Sequence, residues 1–231
     1  MSSPLTTHHP SSSLTERFQA SDRRGILYIV SAPSGAGKTT LCKQIVTSIP
    51  GIWHSISATT RTPRPGEEHG REYFFIKEQL FHDMVARDEF LEHAHVYGHW
   101  YGTPRSPLMD KLALGIDVLL EIDVQGALQI KKQFPDVVSI FILPPSMDIL
   151  RARLQSRASD SEEEIMRRLR KVKDEVWCVR EYTYLVRNED LGRSLHELQS
   201  VFQAERLKTQ RMDMQWFEQS FAIETNAAPA D

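Results

Sequence analysis

Several groups of residues in this chain have the types and spacing needed for chemistry on phosphates. The sharpest is SAPSGAGKTT, residues 31–40. Here Gly35, Gly37, Lys38 and Thr39 follow an expected strand and open an expected helix. The whole run Ala32, Pro33, Ser34, Gly35, Ala36, Gly37, Lys38, Thr39 and Thr40 therefore reads as a triphosphate-binding loop. Glycines let backbone N–H groups turn inward around phosphate oxygens, and the helix N-terminus adds the positive end of its dipole. Lys38 reaches the β- and γ-phosphates, and Thr39 can ligate Mg²⁺. The usual first glycine of this pattern is Ala32 here, at the position farthest from the lysine. An ordinary glycine-rich turn would give no reason for Lys38 and Thr39 together.

A second group lies in SISATTRTPRPGEEHGREYFF, where Arg61 and Arg64 sit three apart beside two prolines. Stiffened backbone and two planar guanidiniums suit a phosphate dianion, and Tyr73 can add a hydroxyl. A basic solvated loop accounts for the same spacing equally well. A third group is the pair of acids, Glu121 and Asp123, that ends the apolar run VLLEIDVQG. A fourth is Arg153 and Arg157, four apart and so on one helix face, with Arg168 in the next helix. Surface pairing with the acids at 162–164 is the alternative for these arginines.

The elements that must position these groups follow from hydrophobic patterning. Apolar, β-branched runs at 26–31, 118–122, 137–143 and 184–186 alternate with helical patterns such as 126–134. This rhythm argues for an α/β fold with a parallel sheet wrapped by helices. Between 53 and 107 the rhythm breaks into short strands at 73–76 and 90–94 around one helical piece near 80–86. From 146 to 180 the chain turns charged and helical, with a capping-box pattern at Ser161 and Glu164 ahead of Ile165, Leu169, Val172 and Val176. The expected organisation is a disordered tail (1–24), core (25–52), an inserted substrate subdomain (53–107), core (108–145), a helical lid (146–180), core with a C-terminal helix (181–225) and a frayed end (226–231). Trp53, Trp100 and Trp177 are expected to pack.

Composition narrows the class. The chain has 231 residues, 40% hydrophobic and 26% charged, with a net charge of −3, so it lacks the overall basic character of a nucleic-acid or membrane-surface binder. Two distant cysteines, Cys42 and Cys178, support neither a disulfide framework nor a zinc site and point to a reducing, cytoplasmic setting. No run approaches a membrane span. Monomer and homo-oligomer both stay open.

Taken together, TTRTPRPGEEHGREYFF beside SGAGKTT closely resembles the guanylate kinases, from about Gly25 to Arg206. The resemblance implies a P-loop nucleoside monophosphate kinase that passes the γ-phosphoryl group of MgATP to GMP, and to dGMP alongside it. Its phosphate clamp for GMP falls on Arg61, Arg64, Tyr73 and Tyr101, and its guanine-reading groups on Ser57, Glu92 and Thr103. Glu92 offers two acceptor oxygens to the N1–H and N2 donors of guanine, and Thr103 can donate to O6. The VLLEIDVQG run resembles the family's second phosphate-site strand, where carboxylates hold water around Mg²⁺. Family members often carry Asp-Ile-Asp there, so either Glu121 or Asp123 can face the metal, with Asp123 also a candidate for GMP. The lid arginines match Arg153, Arg157 and Arg168, with Ser156 and Ala158 where the family commonly has glycine. Asn188 corresponds to a position near the donor adenine. The rival reading is a guanylate-kinase-like interaction domain that binds protein without catalysis; such domains lose the loop lysine and catalytic arginines that this chain keeps.

Overall fold

The computed structural model describes residues 23–155, 162–212 and 214–221, the side chains of 163–165, 167, 168, 216 and 220 excepted. The elements run β1 (Leu27–Ser31), α1 (Lys38–Ser48), β2 (Ile52–His54), β3 (Ala58–Thr59), β4 (Phe74–Phe75) and α2 (Glu78–Ala86). Then come β5 (Phe90–Val96), β6 (His99–Pro104), α3 (Arg105–Ala113), β7 (Asp117–Glu121), α4 (Val124–Gln133) and β8 (Val138–Leu143). The chain continues through α5 (Met147–Gln155), α6 (Glu162–Trp177), β9 (Tyr184–Arg187), α7 (Leu191–Arg206) and α8 (Met214–Phe221).

The main sheet has five strands in the order β2-β7-β1-β8-β9, and every pairing in it is parallel. Parallel strands need helical crossovers, which cover both faces and leave the central strands buried along their whole length. All five residues of β1 are accordingly buried. Alternate side chains serve opposite layers. Tyr28 and Val30 join Leu41, Ile45, Leu198 and Phe202 beneath α1 and α7, whereas Leu27 and Ile29 join Val118, Leu120, Leu108 and Ile130 beneath α3 and α4. Tyr28 stacks on Phe202 with ring centroids 3.9 Å apart.

The second sheet, β4-β3-β6-β5, carries the other half of the site. Its long hairpin pairs β5 with β6 antiparallel, placing Glu92 opposite Thr103 and Ala94 opposite Tyr101. The connection is two residues long, with Tyr97 and Gly98 at φ 51° and 85°. Both are positive, as a tight hairpin turn with the twist of its strands requires. The hairpin is braced against α4, where Gln129 donates to the His93 carbonyl at 2.8 Å and Gln133 to the Leu91 carbonyl at 2.9 Å.

Four departures from the expected organisation have physical causes. The three-residue strand β2 pairs with β7 in the main sheet, so the core runs past residue 52. Helix α3 crosses the boundary placed at 107 because Leu108 is buried against the main sheet. Residue 23, assigned to the expected tail, is tied to the core, since Arg23 pairs with the buried Asp117 at 2.6 Å. Trp177 does not pack: it is 68% exposed at the end of α6, with the Arg180 guanidinium over its ring. Arg157, Ser161 of the capping box and both expected tails beyond residues 23 and 221 lie outside the described residues.

Candidate active site

The loop between β1 and α1 is shaped by two glycines at positive φ, Gly35 at 92° and Gly37 at 96°. Gly37 is also the residue that leads into α1, so the open N–H groups of that helix face the loop's interior. Lys38 folds back to donate to the Ile122 carbonyl at the end of β7, at 3.1 Å. From below, the buried amide of Asn188 donates to the Ala36 carbonyl at 2.7 Å, and a Cβ on Gly37 would lie only 2.3 Å from that amide nitrogen. The carbonyl side of such a loop is the side away from phosphate. Asn188, expected beside the adenine, braces the loop from this side and is not among the residues that line the cavity beside the loop. Ala36 is likewise buried beneath the loop.

A cavity of about 250 Å³ opens between this loop and the second sheet. Ala32, Pro33, Ser34, Gly35, Gly37 and Lys38 form one wall, with Thr39 and Thr40 at the helix start. Ser57, Tyr73, Glu92 and Tyr101 face them from the second sheet, and Glu121 and Asp123 close the floor. Fourteen of the expected residues thus converge on one space from segments far apart in the chain.

The two acids that the sequence left equivalent are separated by geometry. Glu121 accepts a short hydrogen bond from the Thr39 hydroxyl, with His54 Nε2 3.8 Å from its other oxygen. Asp123 caps α4, accepting from the Gly126 N–H at 3.0 Å. Glu121 is the acid beside the loop's Thr39; Asp123 lies at the start of α4, near enough to Glu92 for its charge to act on that carboxyl. A threonine hydroxyl beside a carboxylate is a hard-oxygen donor set that fits Mg²⁺. No group of three or more His, Cys, Asp or Glu suited to a metal exists among the described residues, so the cation would share its shell with phosphate and water.

Glu92 is 4% exposed and accepts from the Thr103 hydroxyl at 2.6 Å. Burial pushes its carboxyl up to about 7; the Thr103 bond works against that rise and the Asp123 charge adds to it. Thr103 itself is fully buried behind Glu92 with its proton committed. Thr103, expected to donate to the base O6, here donates to the carboxylate and so orients it.

Arg61 lies beside the cavity under the rings of Tyr73 and Phe75, 5.5 and 5.7 Å from their centroids. Its Nη2 bonds both oxygens of Glu67 at 2.9 Å. Burial opposes its charge most strongly, but Glu67 and Tyr101 together outweigh that and hold its pKa above the ordinary value. Arg64 is exposed, and among the described residues its guanidinium has no hydrogen-bond or ion-pair partner. The loop has thus brought one arginine to the site already paired and left the other facing water.

On the lid side, Arg153 is half-buried on α5, and Arg168 lies within α6 with its side chain outside the description. Helix α5 sits directly on the loop: a Cβ on Gly35 would meet Leu150 at 3.0 Å and Leu154 at 3.2 Å. Sequence reading missed Val96, Tyr97, Ile122 and Glu175, all of which line the cavity. Glu175, on α6, has one buried oxygen without a hydrogen-bond partner among the described residues, and its other oxygen is 3.5 Å from Lys171, which lies 4.5 Å over the Tyr97 ring. A carboxylate in a charged helix gives no signal of this kind until the helix is docked.

Comparison with known proteins agrees with this geometry. The family model described as guanylate kinase matches residues 24–205. The chain belongs to the guanylate kinase family. It is 50% identical over 190 residues to the guanylate kinase of Geobacter sulfurreducens, covering 82% of this chain and 94% of that one. It is 48% identical over 190 residues to that of Carboxydothermus hydrogenoformans, covering 82% and 93%. The crystal structure of guanylate kinase from Anaplasma phagocytophilum superposes with a TM-score of 0.72 at 33% identity, covering 87% of this chain and 98% of that one. The guanylate kinase match spans the main sheet, the second sheet and helices α5 and α6.

Proposed function

We infer that this chain transfers the γ-phosphoryl group of ATP to GMP, giving ADP and GDP, with the base read by Glu92 and the triphosphate held by residues 32–40. One observation carries the reading. A phosphate-binding loop and a buried carboxylate aimed at a base-sized space share a single cavity.

Each residue then has a physical task. The loop N–H groups and Lys38 take the triphosphate charge, Lys38 exchanging the Ile122 carbonyl for phosphate oxygens. Arg61, Arg64, Tyr73 and Tyr101 orient the GMP phosphate, Arg61 by exchanging Glu67 for the incoming dianion. Ionised Glu92 accepts from N1–H and N2 of guanine, donors that adenine does not present together, while Thr103 keeps its carboxylate aimed and Ser57 adds a hydroxyl at the wall. Asp123 lies at the same end as Glu92. Thr39 and Glu121 would hold Mg²⁺, Glu121 through water, and the ion would supply positive charge to offset that of the phosphates. Arg153, Arg157 and Arg168 supply cations from the lid to the transferring group.

No covalent enzyme intermediate and no general base are needed. The phosphate of GMP is itself the nucleophile, and catalysis is positioning plus charge neutralisation. Closing the lid and the second sheet on both substrates excludes water and limits futile ATP hydrolysis. No described helix is long and apolar enough to cross a membrane, and the reaction fits a cytoplasmic enzyme. Retention of Lys38, Thr39 and Arg61 around one cavity gives the non-catalytic alternative no support.

A coupled ADP-release assay over GMP, dGMP, AMP, CMP and UMP tests the reading. GMP should be the preferred acceptor, and Lys38→Ala should lose at least ~10³-fold in turnover while melting like the parent. AMP outpacing GMP would remove Glu92 from its role.

A further inference from the structure

Gly126 is the third residue of α4, and nothing in its backbone calls for glycine. Its φ is not among the positive values found at seven other glycines. Glycine inside a helix is a liability of roughly 1 kcal/mol against alanine, so a reason must lie outside the helix. That reason is Glu92. A Cβ on Gly126 would stand 2.3 Å from Glu92 Oε2, 2.8 Å from Cδ and 3.4 Å from Cγ. These are the three nearest atoms, and all belong to the side chain that reads the base.

The contact has a direction. Glu92 Oε1 is tied to the Thr103 hydroxyl at 2.6 Å, while Oε2 rests against the first turn of α4. The positive end of that helix offsets part of the cost of burying a carboxylate there. A methyl group at residue 126 would force the carboxylate back by roughly 1 Å to reach ordinary contact distance. The Cα of residue 126 is pinned by the α4 backbone and the Asp123 cap, so the side chain is the part that yields. It yields toward the cavity, whose wall it forms.

We propose that Gly126 is a positioning residue for base selection: the missing side chain is the seat that lets the Glu92 carboxylate stand clear of the space the acceptor base occupies. The inference rests on the base-reading role of Glu92. It makes an unusual prediction, because Gly126→Ala should leave the helix as stable as before or more so, yet damage recognition of one substrate only.

Steady-state kinetics and thermal melting on four proteins test it: the parent, Gly126→Ala, Glu92→Ala and the double variant. Gly126→Ala is expected to raise the KM for GMP roughly tenfold or more, with kcat at saturating GMP and the KM for ATP within about threefold and no fall in Tm. The preference for GMP over IMP, which lacks the 2-amino group, should shrink in parallel. In the Glu92→Ala background there is no carboxylate to displace, so adding Gly126→Ala should change the GMP KM less than about twofold. An unchanged GMP KM in Gly126→Ala overturns the inference, as does an equal loss in both backgrounds or a matching loss for ATP. If Glu92→Ala alone leaves the GMP KM at the parental value, the base-reading role of Glu92 fails and takes the inference with it. That arm separates the two failures.

Discussion

At the scale of single residues, the site is made of charges held at a cost. Glu92 shows this most directly. Its carboxyl, ordinarily at 4.5, is pushed up to about 7 in the folded protein. The folded state therefore holds the proton more tightly than the unfolded chain does. Below pH 4.5 the carboxyl is protonated in both states and exerts no penalty. Stability falls as the pH rises from 4.5, and the full loss, on the order of 3 kcal/mol, is present above about pH 7. Glu92→Gln keeps the shape and an acceptor for Thr103 without the charge. It should make the substrate-free protein more stable than the parent at about pH 8 by up to that amount and no different at about pH 4, measured by urea melts. A stability difference that does not vary with pH would contradict burial of the charge as its cause. Arg61 follows the same logic with the opposite solution: its charge is kept with the help of a resident carboxylate, Glu67, which in the proposed reaction gives way to substrate.

At the scale of elements, the phosphate loop is held from its carbonyl side by Asn188. Gly37 answers two demands at once, a φ of 96° and the Asn188 amide where a Cβ would stand. Gly37→Ala should cost about 2–3 kcal/mol in stability and raise the KM for ATP at least tenfold. Asn188→Ala removes the brace without the backbone strain, so it should weaken ATP while leaving the GMP KM near the parental value. Isothermal titration with an ATP analogue and steady-state kinetics read both. Equal effects on the two substrates from Asn188→Ala would argue that the brace serves the whole fold. The hairpin of β5 and β6 works in the same manner, because its register, set by the Tyr97–Gly98 turn, is what puts Thr103 across from Glu92.

Across the whole molecule, binding and stability sit at opposite ends of the main sheet. The loop and acids gather at the C-terminal ends of β1 and β7, where parallel strands leave an open crevice. At the other end of β7, the fully buried Asp117 accepts from Ile26 N at 2.9 Å, Arg23 at 2.6 Å and Arg206 at 2.7 Å. One carboxylate thus joins the segment before β1 to the end of α7, and Arg206 reaches on to the Pro50 carbonyl at 2.8 Å. Asp117→Asn should cost about 3 kcal/mol, seen as a fall of roughly 10 °C in Tm, with KM values unchanged below the transition. A change in either KM well below the transition would show that the two ends are coupled.

The chain by itself determined the elements and the chemistry that local residues can announce. Apolar runs marked four of the five core strands, and glycines ahead of Lys38 and Thr39 marked the loop, because these features depend on neighbours in sequence. The sequence passed over β2, whose three residues carry no pattern long enough to read and whose strand character comes from pairing with β7. It also left Glu121 and Asp123 equivalent, since alternation along a strand cannot say which acid meets Thr39. Tertiary structure decided the relations between distant segments. It put Asn188 under Ala36, turned Thr103 toward Glu92, paired Arg61 with Glu67 and brought Glu175 over the cavity. The physical reason is that a buried polar group takes its role from whichever partner packing supplies, and those partners lie from 6 to 152 positions away in this chain.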